Sequence, residues 1–410
     1  MYDRTPVPTM SYLKNIDHET DLQYTLEMCQ WVLKPLGVWG LIYHRVSNVE
    51  RVVSILLVSS CLIGLLLIIV PSVHNIFFVE KNVQVKVKLI GPVGFCMFST
   101  VKYCYMCGKR KLLSRCMRHV EKDWRTVDEQ DHRAIMLKQA GISRHLITIC
   151  MVFLYSGGMS YQVLMPFSSK QKHKLNVTDK PLAYPTFEFL DAQSSPTYEI
   201  VFLLQTFGAM IMYTATIAAY SLAATFVSHI CGQIQIQILR LENLIDEHEG
   251  KNTFRQRLTV IVRDHVQVLR FSKDVDEALR EICLSEIMAS TYAMCLLEYY
   301  CLAEWRNSDT VAIVTYFMLL ISCTFNVLIY CSVGEVLSDQ CSRVGGASYN
   351  ILWYNLPARK AYNFILLDVI SLYPPKLTAG KIIELSINTF GAVVKTSVVY
   401  FNLLRTVTSW

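Results

Sequence analysis

The first long apolar run of the chain extends from Val52 to Val70, nineteen residues without a charge. A helix that crosses the hydrocarbon core of a bilayer needs about twenty apolar residues, so this run is long enough to span a membrane. No signal-peptide pattern precedes it, and we expect it to remain as a span. The composition agrees, because 52% of the residues are hydrophobic and only 18% are charged, against about 25% charged residues in soluble domains.

Six further segments have the length and hydropathy of membrane spans. They are Leu89–Cys107, Leu146–Phe167, Glu199–Ser228, Leu279–Trp305, Val311–Val333 and Ile382–Arg405. The fifth of the seven spans is the weakest, because Glu281, Glu286 and Glu298 lie in it. The pattern predicts an all-α membrane protein with seven transmembrane helices, whose two termini lie on opposite sides of the membrane.

The distribution of Lys and Arg predicts the orientation. The N-terminal segment and the second, fourth and sixth loops together contain 27 Lys and Arg, whereas the other loops and the C-terminus contain 9. Basic residues favour the cytoplasmic side, so the N-terminus is predicted to be cytoplasmic and the C-terminus extracellular. The sequon Asn176-Val177-Thr178 lies in the third loop, which this topology places outside, and Asn176 is therefore a candidate glycosylation site.

The spans divide the chain into four parts. They are the cytoplasmic N-terminal segment 1–51, transmembrane helices 1–6 in 52–333, a cytoplasmic anchor region 334–381, and a last helix with a short extracellular tail in 382–410. Within the second part, residues 229–278 carry apolar residues at helical spacing on both sides of Gly250. Spans 4 and 5 are thus predicted to extend into the cytoplasm as an antiparallel helix pair. Its apolar stripes fit packing within the chain or contact with another subunit, and the pattern leaves both open.

Motifs of enzyme chemistry are missing from the sequence. It contains no H-E-x-x-H, G-x-S-x-G, Walker loop or G-x-G-x-x-G. The C-x-x-C of Cys104 and Cys107 has no second pair at a zinc spacing. The net charge of +6 comes from basic residues spread over membrane-proximal loops. We therefore expect no enzyme activity, no metal or cofactor, and no nucleic-acid partner, and the aromatic content suits a pocket for an apolar small molecule.

The last span has a periodic polar face. Asn388, Lys395 and Asn402 recur every seven residues, and Ala392 and Val399 lie on the same stripe. An Asn in mid-membrane should face water or protein rather than lipid. A pore built from several copies of this helix would need such a stripe, and a helix packed in a bundle core with its polar groups paired fits it equally well.

The C-terminal region closely resembles the signature of insect odorant receptors. The matching stretches are Leu377-Thr378-Ala379-Gly380-Lys381, Leu385-Ser386-Ile387-Asn388-Thr389-Phe390 and Lys395-Thr396-Ser397-Val398-Val399-Tyr400-Phe401-Asn402-Leu403-Leu404-Arg405. Further matches are Leu36-Gly37-Val38-Trp39 before the first span and Trp353-Tyr354 with Leu356-Pro357 before the last. The segment from His119 to Arg125 resembles receptors of ants, bees and wasps. One departure is Val399, where the signature usually has a second Ser.

The resemblance implies an odour-tuning subunit of a ligand-gated, non-selective cation channel in the plasma membrane of olfactory sensory neurons. Such a subunit binds a volatile odorant and assembles with a common co-receptor into a hetero-tetramer, whose four last helices line a path for cations. The candidate pore residues are Asn388, Ala392, Val399, Asn402 and Leu403, with the gate at the last two. The ligand pocket would lie in the outer half of the bundle among spans 2, 3, 4 and 6. Its candidate residues are Val93, Phe95, Phe98, Tyr155, Gly158, Tyr161, Phe202, Phe207, Met210, Thr315, Tyr316 and Leu319.

Three other classes of membrane protein fit less well. A G-protein-coupled receptor would have its N-terminus outside, against the 27-to-9 distribution of basic residues. A gustatory receptor has Thr-Tyr and later Gln-Phe in its last span, whereas this chain has Thr389-Phe390 and no Gln there. A transporter would show internal repeats or broken helices, and no repeat is visible.

Overall fold

The computed structural model describes residues 17–127, 129–164, 182–187, 194–244, 251–351 and 368–408. These ranges form a helical bundle. Its helices are α1 (His18–Leu33), α2 (Trp39–Ile42), α3 (Asn48–His74), α4 (Val83–Gly108), α5 (Arg110–Thr126), α6 (Gln130–Leu164), α7 (Thr197–Glu242), α8 (Lys251–Asn307), α9 (Thr310–Asn350) and α10 (Ile387–Thr408). A π-helical turn, Asn75–Val79, continues α3. Short strands β1 (Thr378–Ala379) and β2 (Ile383–Glu384) precede α10.

Four of the described helical segments are long and apolar enough to cross a membrane. They are Asn48–Val79, Gln130–Gln162, Thr197–Glu242 and Thr310–Asn350, and they coincide with predicted spans 1, 3, 4 and 6. Predicted spans 2 and 5 lie within α4 and α8, and predicted span 7 is helical from Ile387, where α10 begins. These three segments carry charged residues, among them Lys102, Glu286 and Lys395.

Helix α7 is the centre of the bundle. Every residue from Ala215 to Gly232 is buried, and α1, α3, α4, α6, α8 and α9 all pack against it. This segment is rich in Ala, Ser, Thr and Gly, small residues that let neighbouring helix backbones approach closely in membrane bundles. We call Ala215–Gly232, with the side chains that surround it, the α7 core.

Helices α7 and α8 pack antiparallel, as the loop-4 pattern predicts. Arg240 donates to Asp264 at 2.8 Å near one end of the pair, and Tyr220 donates to Glu286 at 2.7 Å further along. The residue numbers rise along α7 while they fall along α8, which defines the antiparallel arrangement. Apolar residues on both helices, such as Ile234 and Leu258, are buried within this one chain.

The segment before α10 differs from the all-α prediction. Strands β1 and β2 pair antiparallel around a turn in which Gly380 and Lys381 both have a φ of 63°, the conformation of a type I′ hairpin turn. Thr378 donates to Asp276 Oδ1 through its backbone N (2.7 Å) and its hydroxyl (2.9 Å). The hairpin is therefore anchored on α8.

The prediction that the last helix begins near Ile382 is wrong for the same reason. Ile382 follows the turn, and α10 begins at Ile387. The hydroxyl of Ser386 accepts a hydrogen bond from the backbone N of Thr389 at 3.2 Å, which satisfies one of the free N–H groups at the helix start. Glu335 on α9 accepts another from the backbone N of Ile387 at 3.2 Å.

Candidate ligand cavity and terminal helix

A cavity of about 110 Å³ lies between α4, α6, α7, α8 and α9. Its walls are mainly apolar and aromatic and include six tyrosines. The lining residues are Gly91, Pro92, Phe95, Leu154, Tyr161, Tyr184, Met212, Tyr213, Thr216, Tyr220, Glu286, Ser290, Ala293, Leu296, Leu297, Tyr300, Tyr316, Leu319, Ser322, Cys323 and Asn326. A concave, mostly apolar site with a few polar groups is typical of a small-molecule binding site.

One wall of the cavity comes from the segment between α6 and α7. The side chain of Gln205 on α7 holds the backbone of Tyr184 at both ends, donating to its O at 2.9 Å and accepting from its N at 3.3 Å. This pair of hydrogen bonds places Tyr184 beside α7, where it is buried and lines the cavity.

A buried ion pair lies at the opposite end of the cavity. Lys102 on α4, fully buried, donates to Glu286 Oε2 on α8 at 2.5 Å and to Thr216 at 2.9 Å. Tyr220 and Ser290 donate to the other oxygen, Glu286 Oε1, at 2.7 and 3.0 Å. Ions inside a protein are stable only when they are paired and hydrogen-bonded, and this network explains how charges are accommodated in predicted spans 2 and 5.

Two polar atoms on the cavity wall have no hydrogen-bond partner among the described residues. They are the Oδ1 of Asn326 and the hydroxyl of Tyr184. Both side chains are about 2% exposed. Buried polar atoms are nearly always hydrogen-bonded in native proteins, so both atoms are candidate ligand contacts.

Four of the twelve predicted ligand residues line the cavity. They are Phe95 on α4, Tyr161 on α6, and Tyr316 and Leu319 on α9. They come from three helices that are far apart in sequence, and the fold brings them to one site.

Four predicted residues pack beside the cavity but do not line it. The hydroxyls of Tyr155 and Thr214 lie 2.8 Å apart, and the ring of Phe98 lies 5.8 Å from that of Tyr292. Val93 is buried. Gly158 makes room for the Tyr213 ring, since an added Cβ would come within 2.3 Å of it.

The remaining four predicted residues also lie outside the lining. Thr315 is buried and donates to the backbone of its own helix, and Phe202 stacks on Tyr198 with ring centroids 6.1 Å apart. Phe207 and Met210 are 50% and 40% exposed on α7. Helical spacing alone does not show which face of a long apolar helix points inward, because lipid-facing and core-facing residues are equally apolar.

Helix α8 contributes cavity residues that the sequence interpretation did not include. Glu286, Ser290, Ala293, Leu297 and Tyr300 line the cavity. They recur at i, i+4, i+7, i+11 and i+14, the spacing of one helix face. That periodicity was visible in the sequence, but the glutamates made span 5 the weakest and the resemblance pointed to spans 2, 3, 4 and 6.

The five candidate pore residues share an exposed position on α10. Asn388, Ala392, Val399, Asn402 and Leu403 are all exposed in the single chain. Lys395, on the same stripe, is exposed as well. The predicted polar stripe therefore does not pack into the bundle of its own chain.

The opposite face of α10 contacts the rest of the protein. Val393 and Ser397 are buried, and Ser397 donates to Glu298 on α8 at 2.9 Å. Leu404 packs on the cluster that contains Tyr300 and Tyr316, two residues that also line the cavity. The cavity and the terminal helix thus share the same segment of α8.

Some predicted features lie outside the described residues. These are the sequon at Asn176, the Trp353-Tyr354 and Leu356-Pro357 matches, and Ile245 of the loop-4 stripe.

Comparison with known proteins identifies the family. The family model described as 7tm Odorant receptor matches residues 82–398, which is most of the chain, so the protein belongs to the 7tm odorant receptor family. It is thus a membrane receptor and not an enzyme.

Individual relatives are distant. Odorant receptor 13a of Drosophila melanogaster is 23% identical over 244 residues, 56% of this chain. The chain spans 58% of the length of that relative in this match. Odorant receptor 2a of the same species is 22% identical over 389 residues, 91% of this chain and 92% of the relative.

A solved structure shows the same fold. The insect olfactory receptor OR5 from Machilis hrabei, in complex with eugenol, superposes with a TM-score of 0.79 at 12% identity. The match covers 95% of this chain and 100% of that one. The helical bundle is therefore that of an insect olfactory receptor.

Proposed function

We propose that this chain is the odour-tuning subunit of a ligand-gated, non-selective cation channel. It assembles with the common odorant co-receptor into a hetero-tetramer in the plasma membrane of olfactory sensory neurons. The observation that carries the proposal is the pairing of a mainly apolar cavity with a terminal helix whose polar stripe is exposed. The cavity belongs to one chain, whereas the stripe needs neighbouring chains to cover it.

The proposed topology has seven spans, with a cytoplasmic N-terminus and an extracellular C-terminus. The distribution of basic residues supports it, and so does the ion pair that neutralises Lys102 and Glu286 within spans 2 and 5. In this topology residues 229–278 and 334–381 form the cytoplasmic anchor, and Asn176 is extracellular. A tag inserted beside Asn176 should be accessible to antibody on intact cells, and a protected tag would overturn the orientation.

The proposed odorant site is the cavity between α4, α6, α7, α8 and α9. At about 110 Å³ it is smaller than the roughly 300–1,000 Å³ of drug-sized ligand pockets. It is closer to a dry cavity of roughly 150 Å³ that admits benzene. The apolar walls favour a small volatile molecule, whose binding is driven mainly by burial of its apolar surface.

The proposed pore is formed by α10 from four subunits. Asn388, Ala392, Val399 and Asn402 would face the axis, with Leu403 close to it, because adjacent helix positions differ by about 100°. Leu403 directed to the axis makes a narrow apolar opening, which ions cannot cross without losing hydration. A modest helix rotation brings in Asn402, whose amide replaces part of that hydration.

The proposal is tested by currents in cells that express this chain with the co-receptor, each alone, or neither. A panel of volatile odorants should evoke cation current only when both subunits are present. Strong odorant-evoked current from this chain alone would contradict the subunit assignment, and silence with both present would contradict the channel assignment.

The pore assignment has its own test. Asn402→Asp should change the relative permeability of cations, because it adds a carboxylate to the ring, and Leu403→Ala should raise the current without ligand. Val398, exposed on α10 but off the polar stripe, offers the control Val398→Ala. If both pore variants reach the surface and behave like the control, neither residue lines the pore.

A further inference from the structure

A hydrogen bond within its own helix fixes the orientation of the Asn326 amide. Its Nδ2 donates to the backbone O of Ser322 at 2.7 Å. Exchanging the two amide atoms would place two carbonyl oxygens against each other, so the atom left without a partner is the acceptor Oδ1. The hydroxyl of Ser322 cannot fill it, because it donates to the backbone O of Phe153 at 2.7 Å.

The polar groups around Glu286, another lining residue, are hydrogen-bonded to one another. Tyr220 and Ser290 both donate to Glu286 Oε1, and Lys102 donates to Glu286 Oε2 and to Thr216. The carboxylate is therefore neutralised and fully hydrogen-bonded. At this end of the cavity, Asn326 Oδ1 has no hydrogen-bond partner among the described residues. The hydroxyls of Tyr220 and Ser290, which also line the cavity, donate to Glu286.

The other end of the cavity is aromatic. Tyr316 and Asn326 are ten residues apart on α9, so a distance of about 15 Å separates them along the helix. Tyr161, Tyr300 and Tyr316 surround the far end, and the Tyr184 hydroxyl there can donate or accept. Among the described lining residues, Asn326 Oδ1 is therefore the buried atom without a partner that can only accept a hydrogen bond.

We propose that Asn326 selects ligands that carry a hydroxyl, that is, small alcohols and phenols. The ligand's O–H donates to Asn326 Oδ1, and its apolar body lies between Phe95, Met212 and Leu296. An ether, ketone or alkane of the same length leaves Oδ1 without a hydrogen bond, and an inward-facing carbonyl adds repulsion between two acceptors. The inference rests on the proposed function, because it takes the cavity as the odorant site.

The test uses four probes with the same number of heavy atoms: 1-hexanol, hexanal, methyl pentyl ether and heptane. Binding is measured directly on the purified full-length chain in complex with the co-receptor, and current is measured separately in cells. The wild type should bind 1-hexanol about tenfold more tightly than the ether or heptane. Equal affinity for the alcohol and the ether in the wild type overturns the inference without any variant.

The decisive variant is Asn326→Leu, which keeps the branched shape and the four heavy atoms of the side chain and removes the amide. The alcohol-to-ether ratio should fall to near one, while heptane binds at least as well as before. Thr324→Val is the matched control, because Thr324 on the same helix bonds its own backbone and lies outside the lining. It should keep the wild-type ratio.

The two proposals fail in different ways. Alcohol preference that Asn326→Leu abolishes, without current in any combination of subunits, supports this inference and overturns the channel proposal. Odorant-evoked current with an unchanged alcohol-to-ether ratio in Asn326→Leu overturns this inference and leaves the channel proposal intact. Failure of 1-hexanol to bind overturns the alcohol assignment.

Discussion

Helices α7 and α10 differ in how much of their surface is buried within the chain. From Ala215 to Gly232, α7 is buried on every side, whereas α10 is held along one face and exposes the rest, with Leu403 59% exposed. One subunit is thus sufficient to specify the position of α7. The exposed faces of α10 are left for neighbouring subunits to cover. This is the property expected of a helix that lines a shared pore and moves when the pore opens.

Helix α10 is attached to the rest of the chain at its start and along one face. Its start is fixed by the hairpin on α8 and by Glu335 on α9. Further along, Ser397 donates to Glu298 on α8 at 2.9 Å.

Lys102→Met should have the largest effect, because it leaves Glu286 as an unpaired buried charge beside α7. Breaking a buried ion pair by removing one partner costs about 3–5 kcal/mol. We expect a severe loss of thermal stability in detergent and of surface expression. The matched change in α10, Lys395→Met, should leave the stability unchanged, since Lys395 is exposed.

A second variant separates charge from packing. Adding Glu286→Gln to Lys102→Met removes the unpaired charge and keeps an acceptor for Tyr220 and Ser290. The double variant should be more stable than Lys102→Met alone. If Lys102→Met and Lys395→Met melt at the same temperature, the contrast between the two helices is wrong.

The same substitution in both helices gives the next effect. Ala219→Leu inserts a larger side chain into a fully buried position of α7, and overpacking of this kind costs about 1–3 kcal/mol. Ala392→Leu adds the same atoms to an exposed position of α10 and should not lower the melting temperature. It should instead alter the current, because Ala392 lies on the proposed pore stripe. Equal loss of stability in both would contradict the comparison.

Removal of the link between Ser397 and Glu298 should act on gating rather than on folding. A single hydrogen bond contributes about 1 kcal/mol, equivalent to about a fivefold change between open and closed states. Ser397→Ala, which removes the donor, and Glu298→Met, which removes the acceptor, should each shift the odorant dose–response curve. In a double-mutant cycle the two shifts should not add, whereas additive shifts would show that the two residues act independently.

The smallest effect concerns pH and a cluster around His119, outside the predicted spans. His119 on α5 stacks on Phe271 with ring centroids 4.2 Å apart and lies 3.4 Å from Asp123, which also contacts His229 at 3.0 Å. Burial lowers the pKa of His119, and the nearby Asp123 opposes this only in part.

The sign of the pH effect follows from that direction. Since His119 takes up its proton at a higher pH in the unfolded chain than in the folded protein, its contribution to stability is constant above about pH 6.5 and falls below it. His119→Gln should weaken this acid sensitivity, whereas His145→Gln, at an exposed position of α6, should not. Melting temperatures at about pH 7.5 and about pH 5.5 test this, and identical acid sensitivity in all three proteins would rule it out.

Local patterns in the chain were sufficient for the helices that contain the predicted spans and for the exposed face of α10. The uncharged run from Val52 to Val70 lies in α3, and the heptad of Asn388, Lys395 and Asn402 marks residues that are exposed on one helix. Both depend on residues within a few turns of each other, where helix geometry alone relates sequence distance to position. The hairpin before α10 was missed, although Gly380 is the residue that favours a positive φ.

The cavity depended on contacts between distant parts of the chain. Lys102 and Glu286 are 184 residues apart. Each is a charged residue in a predicted apolar span, and the fold accommodates both by pairing them. Tyr184 reaches the cavity because Gln205 holds its backbone, and Asn326 offers an acceptor because Ser322 takes its donor. Hydropathy ranks residues by their preference for an apolar surrounding, which lipid and protein core provide equally. Which face of an apolar helix lines a cavity is therefore settled by the helices that pack around it.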